Sequence, residues 1–246
     1  MGRRLGQHFL ASRPILEQIA ASVVANSPET IVEIGPGQGA LTEFLLASGA
    51  HVHAIELDPL MVVHLERRFP AHPKLTIHQA DVLGVDLAQW GPAALAGNLP
   101  YYITSPILDR IRKARWAIRT ATLLIQKEVA DRVIAKPKTR DYGYLTVVTQ
   151  SWAEAAHVAH VPPESFRPAP RVDSSVILLT SRPEVPTDLD AFLKFAGHAF
   201  RQKRKNLRNN LNGIYPMADW EHMAERTLRA EQMNIEELRA LWHKLS

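Results

Sequence analysis

No cysteine occurs in the chain. That absence excludes a disulfide framework and any thiolate zinc site, and it suits a reducing compartment, so the sequence predicts a cytoplasmic protein. No stretch approaches the roughly 18 to 20 uninterrupted apolar residues that a membrane span needs. Arg3 and Arg4 look like the start of an export signal, but Gln7, His8, Ser12 and Arg13 break the apolar run that should follow. A soluble protein without membrane association is the expectation. Also missing are a Walker loop, a paired-histidine zinc helix and a nucleophile-elbow serine. His51 with His53, and His157 with His160, are isolated pairs of the kind that usually serve surface or core packing, and no metal is expected.

What is present is an ordinary globular composition, 46% apolar and 22% charged over 246 residues. That length allows one large domain and one small one. Net charge is only +4, but its distribution is uneven. Residues 101–140 carry ten Lys or Arg against Asp109, Glu128 and Asp131, whereas residues 41–90 carry three basic and six acidic residues. A second cluster, Arg201, Lys203, Arg204, Lys205 and Arg208, is interleaved with amides. A charge run is commonly a solvated helix face, yet two basic clusters outside an acidic middle also suit contact with phosphates.

Apolar periodicity predicts a helix from Ser12-x-Pro14 and then strands at 30–34, 51–56, 75–78, 93–97 and 121–125, alternating with helices at about 39–48, 59–69 and 105–115. Asp58-Pro59 and Ser105-Pro106 each read as a cap followed by the first helical proline. Such alternation implies an α/β fold, a doubly wound and mostly parallel sheet that binds ligands at the carboxyl ends of its strands. Two later strands, 156–161 and 176–180, predict an antiparallel finish. The proline-bearing stretch 181–187 reads as a linker, so the expected division is a cofactor-binding catalytic domain at 1–181 and a small helical domain at 182–246.

Glu33-Ile34-Gly35-Pro36-Gly37-Gln38-Gly39 sits where the first predicted strand turns into a helix, a place where glycines admit a ligand to the backbone and the helix amides. Gly35, Gly37 and Ala40 also satisfy the dinucleotide fingerprint, which keeps a nicotinamide oxidoreductase in play. Glu33 tilts the choice, because a carboxylate inside the strand end can orient the loop or meet an ammonium group and offers nothing to a pyrophosphate. The extra glycine, Gly39, is read as keeping the loop open. Glu56 ends the second strand, where it can accept from ribose hydroxyls, and Asp81 with Val82 beside it follows the third, where an adenine amine and ring would fit. Each carboxylate taken alone is more often a cap or loop residue than a ligand, and Asp58 is read that way; their placement after successive strands is what gives the set its specificity.

Asn98-Leu99-Pro100-Tyr101 follows the fourth strand. Adenine N6 is a poor nucleophile because its lone pair is delocalised into the ring. Two acceptors, Oδ1 of Asn98 and the carbonyl of Leu99, can each take one N–H and favour the tetrahedral amine; Pro100 fixes the backbone and Tyr101 can stack on an extruded base. Transfer from a sulfonium needs no strong base, and none is present in the motif. A proline turn with a buried tyrosine is the plainer reading of those four residues. Their place after a strand and downstream of the glycine loop favours the chemical one.

Taken together, these motifs resemble the ribosomal RNA adenine N6,N6-dimethyltransferases, most closely the bacterial small-subunit branch. The resemblance spans nearly the whole chain: Gly6-Gln7-His8-Phe9-Leu10, the 33–39 loop, Asn98–Tyr101, Gln126-Lys127-Glu128-Val129, Phe166-x-Pro168-x-Pro170-x-Val172-Asp173-Ser174, the basic 204–211 stretch and Arg229-Ala230-Glu231. It implies S-adenosyl-L-methionine as cofactor and a monomer that dimethylates two adjacent adenosines in the 3′-terminal hairpin of small-subunit (16S) rRNA within an assembling 30S particle. Large-subunit enzymes share the catalytic motifs; Arg229-Ala230-Glu231 points to the small-subunit branch. By matching position, His8 and Leu10 would close over the cofactor. Gly35, Gly37, Glu56, Leu57, Asp81 and Asn98 would line its site, and Phe166 would face Tyr101 across the target base. The family has His or Asn at the position of His8. A non-catalytic RNA-binding assembly factor on the same fold is the remaining alternative.

Overall fold

The computed structural model describes residues 8–216 and 219–246, so Gly6 and Gln7 of the first motif lie outside the described residues. In chain order the elements are β1 (Phe9–Leu10), α1 (Arg13–Val24), β2 (Thr30–Ile34), α2 (Ala40–Leu46), β3 (His51–Glu56), α3 (Pro59–Arg68), β4 (Leu75–Gln79), β5 (Ala93–Asn98), α4 (Thr104–Lys113) and β6 (Ile118–Gln126). There follow α5 (Lys127–Ile134), α6 (Tyr144–Gln150), β7 (Ala153–Val161), β8 (Phe166–Arg167), β9 (Ser174–Ser181), α7 (Leu189–Ala199), α8 (Leu207–Leu211) and α9 (Ile235–Leu245).

Seven strands form one sheet in the order β4-β3-β2-β5-β6-β9-β7. The pairs β4/β3, β3/β2, β2/β5 and β5/β6 are parallel, and β9 runs antiparallel to β6. Central strands are covered on both faces and therefore read as continuous apolar runs. Ile31, Val32, Leu95, Ala96, Leu123, Leu124 and Ile125 are fully buried, whereas the edge strand β4 is only half-buried. Helix α1 lays Leu16, Ile19 and Val23 into the same core, the i, i+3, i+7 stripe expected of a helix against a sheet.

Asp58 caps α3 as expected, its carboxylate accepting from Leu60 N at 2.9 Å. Ser105 does not cap α4. The short turn Tyr101–Ile103 runs directly into the helix, which starts at Thr104 and leaves Ser105 exposed within its first turn. The two-residue ladder between β1 and β8 has no periodicity signal at all, because Phe9 and Leu10 find their partners Arg167 and Phe166 only through the tertiary fold.

The chain divides into two compact units: the chain up to Ala130 with Glu154–Ser181, and Asp131–Ala153 with Arg182–Ser246. The expected change at 181/182 is one of the crossings. Residues 131–153, expected within the first domain, fall with the second. That unit is helical but repeatedly interrupted, with single turns at Trp220–His222, Ala224–Thr227 and Ala230–Gln232 between α8 and α9. Its core gathers Phe192, Phe195, Leu238 and Leu241, and Arg239 pairs with Asp188 while lying over the Phe192 ring. Lys203 donates to the Arg140 carbonyl at 2.8 Å, so the second unit brings part of one basic cluster against the other.

Candidate active site

The strand register positions the site. Ile34 pairs with Ile55 on one side and with Gly97 on the other, so β2, β3 and β5 end at one level and deliver Gly35, Glu56 and Asn98 to the same edge. Strand order reverses between β2 and β5, where open α/β sheets bind ligands. A cleft opens there, lined by every candidate cofactor or substrate residue of the sequence reading except Phe166, and without Gly39 of the glycine loop.

Gly35 adopts a left-handed conformation with φ +66°, and a Cβ added there would meet only the Asn98 carbonyl, at 3.7 Å; the loop at this point is open to a ligand. Gly39 corrects the sequence expectation. At φ +79° it caps α2, and a Cβ would come within 2.7 Å of Phe69 and 2.9 Å of Leu65. It does not line the cleft, and its task is close packing of the loop on α3.

Glu56 is buried and holds the loop from below, Oε2 accepting from Gly37 N at 3.0 Å and Oε1 from Asp58 N at 2.8 Å. Each oxygen keeps a further lone pair for a hydroxyl. Glu33, also buried, accepts from Thr42 Oγ1 at 2.7 Å. Burial pushes its carboxyl up to about 7; the Thr42 hydrogen bond opposes the rise and the neighbouring Glu56 charge adds to it. Such a group sheds its proton readily once a cation arrives beside it. Asp81 is exposed and forms a turn, accepting from Leu83 N at 2.9 Å through Oδ1, while Val82 is buried against the cleft and Leu57 is half exposed at its rim.

The far wall has different chemistry. Asn98 Nδ2 donates to the His8 carbonyl at 3.1 Å, which settles the amide orientation and leaves Oδ1 as an acceptor. Leu99 N donates to the Leu124 carbonyl at 3.0 Å, whereas the Leu99 carbonyl receives no hydrogen bond among the described residues. Two acceptors thus stand on consecutive residues. Tyr101 is held from both sides: its hydroxyl lies 2.8 Å from Ser174 Oγ, and its ring stacks on His8 with centroids 6.3 Å apart. His8 Nδ1 is 2.8 Å from the Pro168 carbonyl; a carbonyl only accepts, so Nδ1 carries the hydrogen.

Phe166 is fully buried and packs with Leu10, Leu16 and Ile19 in the core. With no exposed surface it cannot stack on a base in this arrangement. It anchors β8 to β1 and through β1 supports His8, a role that the family resemblance did not distinguish from a lining one. Arg68, Tyr102 and Ile103 line the cleft without having been singled out. Tyr102 adjoins the recognised motif, which was its available signal. Arg68 reaches the loop only through space, donating to the Gln38 carbonyl at 2.7 Å and to Glu43 at 2.5 Å.

The donor set fits S-adenosylmethionine. An open left-handed glycine, a buried carboxylate at a strand end, a carboxylate poised to ionise beside a cation, and an acidic residue with an apolar neighbour answer its backbone approach, ribose, ammonium and adenine parts in turn. His51, His53, His78 and Trp90 form a separate stack on β3, β4 and the turn before β5, with His53 Nδ1 3.1 Å from His78 Nε2. Among the described residues no three His, Asp or Glu side chains are arranged to hold a metal ion, and no helix is long and apolar enough to cross a membrane.

The model of the family described as ribosomal RNA adenine dimethylase matches residues 2–245. The "Ribosomal RNA small subunit methyltransferase A" of Chlorobium phaeobacteroides is 38% identical over 99% of this chain and 90% of its own length. Among solved structures, a dimethyladenosine transferase from Plasmodium falciparum superposes with a TM-score of 0.83 at 25% identity, covering 97% of this chain and 96% of that one. The 23S rRNA methyltransferase ErmE does so with a TM-score of 0.75 at 30% identity, covering 96% and 99%. These matches set aside the dinucleotide reading of Gly35, Gly37 and Ala40: the chain belongs to the ribosomal RNA adenine dimethylase family and is an S-adenosylmethionine-dependent methyltransferase.

Proposed function

We propose that the protein dimethylates N6 of two adjacent adenosines in the 3′-terminal hairpin of small-subunit rRNA, acting as a cytoplasmic monomer on an assembling 30S particle. The observation that carries this reading is the pair of acceptors on consecutive residues, Asn98 Oδ1 and the Leu99 carbonyl, in a cleft whose opposite wall fits the cofactor. When bound, S-adenosylmethionine supplies a methyl group made electrophilic by its sulfonium. In the first transfer Asn98 and Leu99 each accept one N–H of the adenine amine, and in the second one of them holds the single N–H that remains, in both cases drawing the nitrogen toward a tetrahedral geometry with its lone pair available. Tyr101, immobilised by Ser174 and His8, stacks on the extruded base. The proton departs to water after transfer, so the cleft needs no strong base. Glu56 takes the ribose hydroxyls, Asp81 and Val82 the adenine of the cofactor, and Glu33 ionises toward its ammonium group. Leu10 and Leu57 bound the apolar rim.

The second unit supplies the RNA contact. Its exposed Lys136, Arg140, Arg201, Arg204 and Lys205 offer a surface for phosphates on a chain of only modest net charge. The small-subunit target follows the names of the curated relatives, and ErmE at 30% identity keeps large-subunit RNA as the reading to be tested against it. Labelled methyl transfer to unmodified small and large ribosomal subunits, with mass-spectrometric mapping, decides between them. Two adjacent dimethyladenosines in small-subunit rRNA, made by wild type and not by Asn98→Ala, are the expected result. Labelling of large subunits alone overturns the target, and equal labelling by Asn98→Ala overturns the chemistry.

A further inference from the structure

Tyr102 has no role in the site as built so far. Its side chain is 68% exposed, yet it lines the mouth of the cleft. The turn Tyr101–Ile103 explains how. Pro100 enters it at φ −58°, the Pro100 carbonyl accepts from Ile103 N at 3.1 Å, and Thr104 Oγ1 closes it against the Pro100 and Tyr101 carbonyls at 3.5 and 3.4 Å. A turn of three residues per revolution fans successive side chains about 120° apart. Tyr101 is tied inward to Ser174, Ile103 is half-buried in the cleft wall, and Tyr102 is left pointing outward beside them. No ring, cation or hydrogen-bond partner engages Tyr102 among the described residues.

We propose that Tyr102 is a stacking platform for the base next to the adenosine being methylated, and so a specificity residue for a paired target. This rests on the rRNA dimethyltransferase reading. When one base of an adjacent pair is extruded against Tyr101, its neighbour along the strand is drawn to the mouth of the cleft and has lost a stacking partner. An exposed aromatic ring on a hydrogen-bonded turn replaces that partner, and it can do so whichever adenosine is inside, because every base offers a π-face. Tyr102 therefore assists both transfers on the pair without contacting the reacting amine.

The test uses the full chain and unmodified small subunits reconstituted with rRNA carrying either the natural adenosine pair or a pair with one member replaced by uridine, a weakly stacking base. On the natural pair, Tyr102→Ala lowers kcat/KM about tenfold through KM, Tyr102→Phe retains it, and S-adenosylhomocysteine affinity stays within twofold for both. Replacing the neighbour lowers wild-type kcat/KM by a similar factor and leaves Tyr102→Ala no further affected. Equal activity of Tyr102→Ala and wild type on the natural pair overturns the inference, and so does a Tyr102→Ala defect that is undiminished on the uridine RNA. Failure of wild type to methylate either RNA overturns the functional reading instead.

Discussion

The two walls of the cleft are made in opposite ways. On the β2 and β3 side, carboxylates are buried among glycines and backbone amides: Glu56 is satisfied by Gly37 and Asp58, and Glu33 sits above its ordinary range with a single hydroxyl partner. On the β5 side the acceptors are neutral, an amide and a carbonyl, framed by aromatic rings. Under the proposed function, the contrast follows from what each wall would receive. A cationic, hydroxyl-rich cofactor gains from charge, whereas a neutral amine that turns cationic during transfer needs acceptors that order it without holding the proton tightly.

Breaking the neutral wall should have the largest effect. Asn98→Ala removes one of the two acceptors proposed to act in the transition state, and a loss of about 10²- to 10³-fold in kcat is expected, measured by methyl transfer, with S-adenosylhomocysteine affinity changing far less. If cofactor affinity falls as much as kcat, the two walls are not separable. On the charged wall, Glu33 predicts a pH effect. Its carboxyl rises from 4.5 when unfolded to about 7 in the fold, so the folded state holds the extra proton between those values and stability falls as pH rises through that window. The full penalty, about 3 kcal/mol, applies above about 7. Glu33→Gln, which keeps an acceptor for Thr42, should gain stability relative to wild type as pH rises from 4.5 to 7 in denaturant titrations; parallel curves would show that Glu33 titrates normally.

Glu56→Ala should weaken S-adenosylhomocysteine binding about 10- to 100-fold in calorimetry, since charged hydrogen bonds to hydroxyls are lost and Gly37 N and Asp58 N lose their acceptors. The glycines sharpen the comparison further. Gly39→Ala should cost roughly 1–3 kcal/mol of stability from its clash with Phe69 and Leu65, read by thermal unfolding, while the folded fraction binds cofactor normally. Smallest is the effect at His53, which is only half-buried, so solvent screens its charge. Burial first, then the neighbouring His51 and His78, lowers its imidazole to about 4, so the stack loses stability as pH falls from about 6.5 through that value. His53→Phe should flatten this acid limb of the unfolding curve.

Much of the first unit was legible because its signals are local. The strands Thr30–Ile34 and His51–Glu56 appear where the β-branched and apolar runs place them, and Asp58-Pro59 opens α3 by cap chemistry contained in two residues. What was misread depends on distant partners. Gly39 reads as keeping the loop open until Phe69 is seen against it, and Phe166 reads as a lining aromatic until it is found packed with Leu10. Residues 131–153 stand between strands of the sheet in the chain, yet they cluster with the chain beyond 181.

By itself the sequence determined the alternation of strands and helices, where the strands end along the chain and the types of group that follow them, because periodicity, caps and short motifs act over a few residues. Only the tertiary structure decided which of those groups face the cleft, how the Asn98 amide is turned, and that Tyr102 stands bare at its mouth. Those outcomes depend on contacts between residues tens of positions apart, such as His8 with Asn98 and Tyr101 with Ser174, and no local pattern encodes the direction in which a side chain finally points.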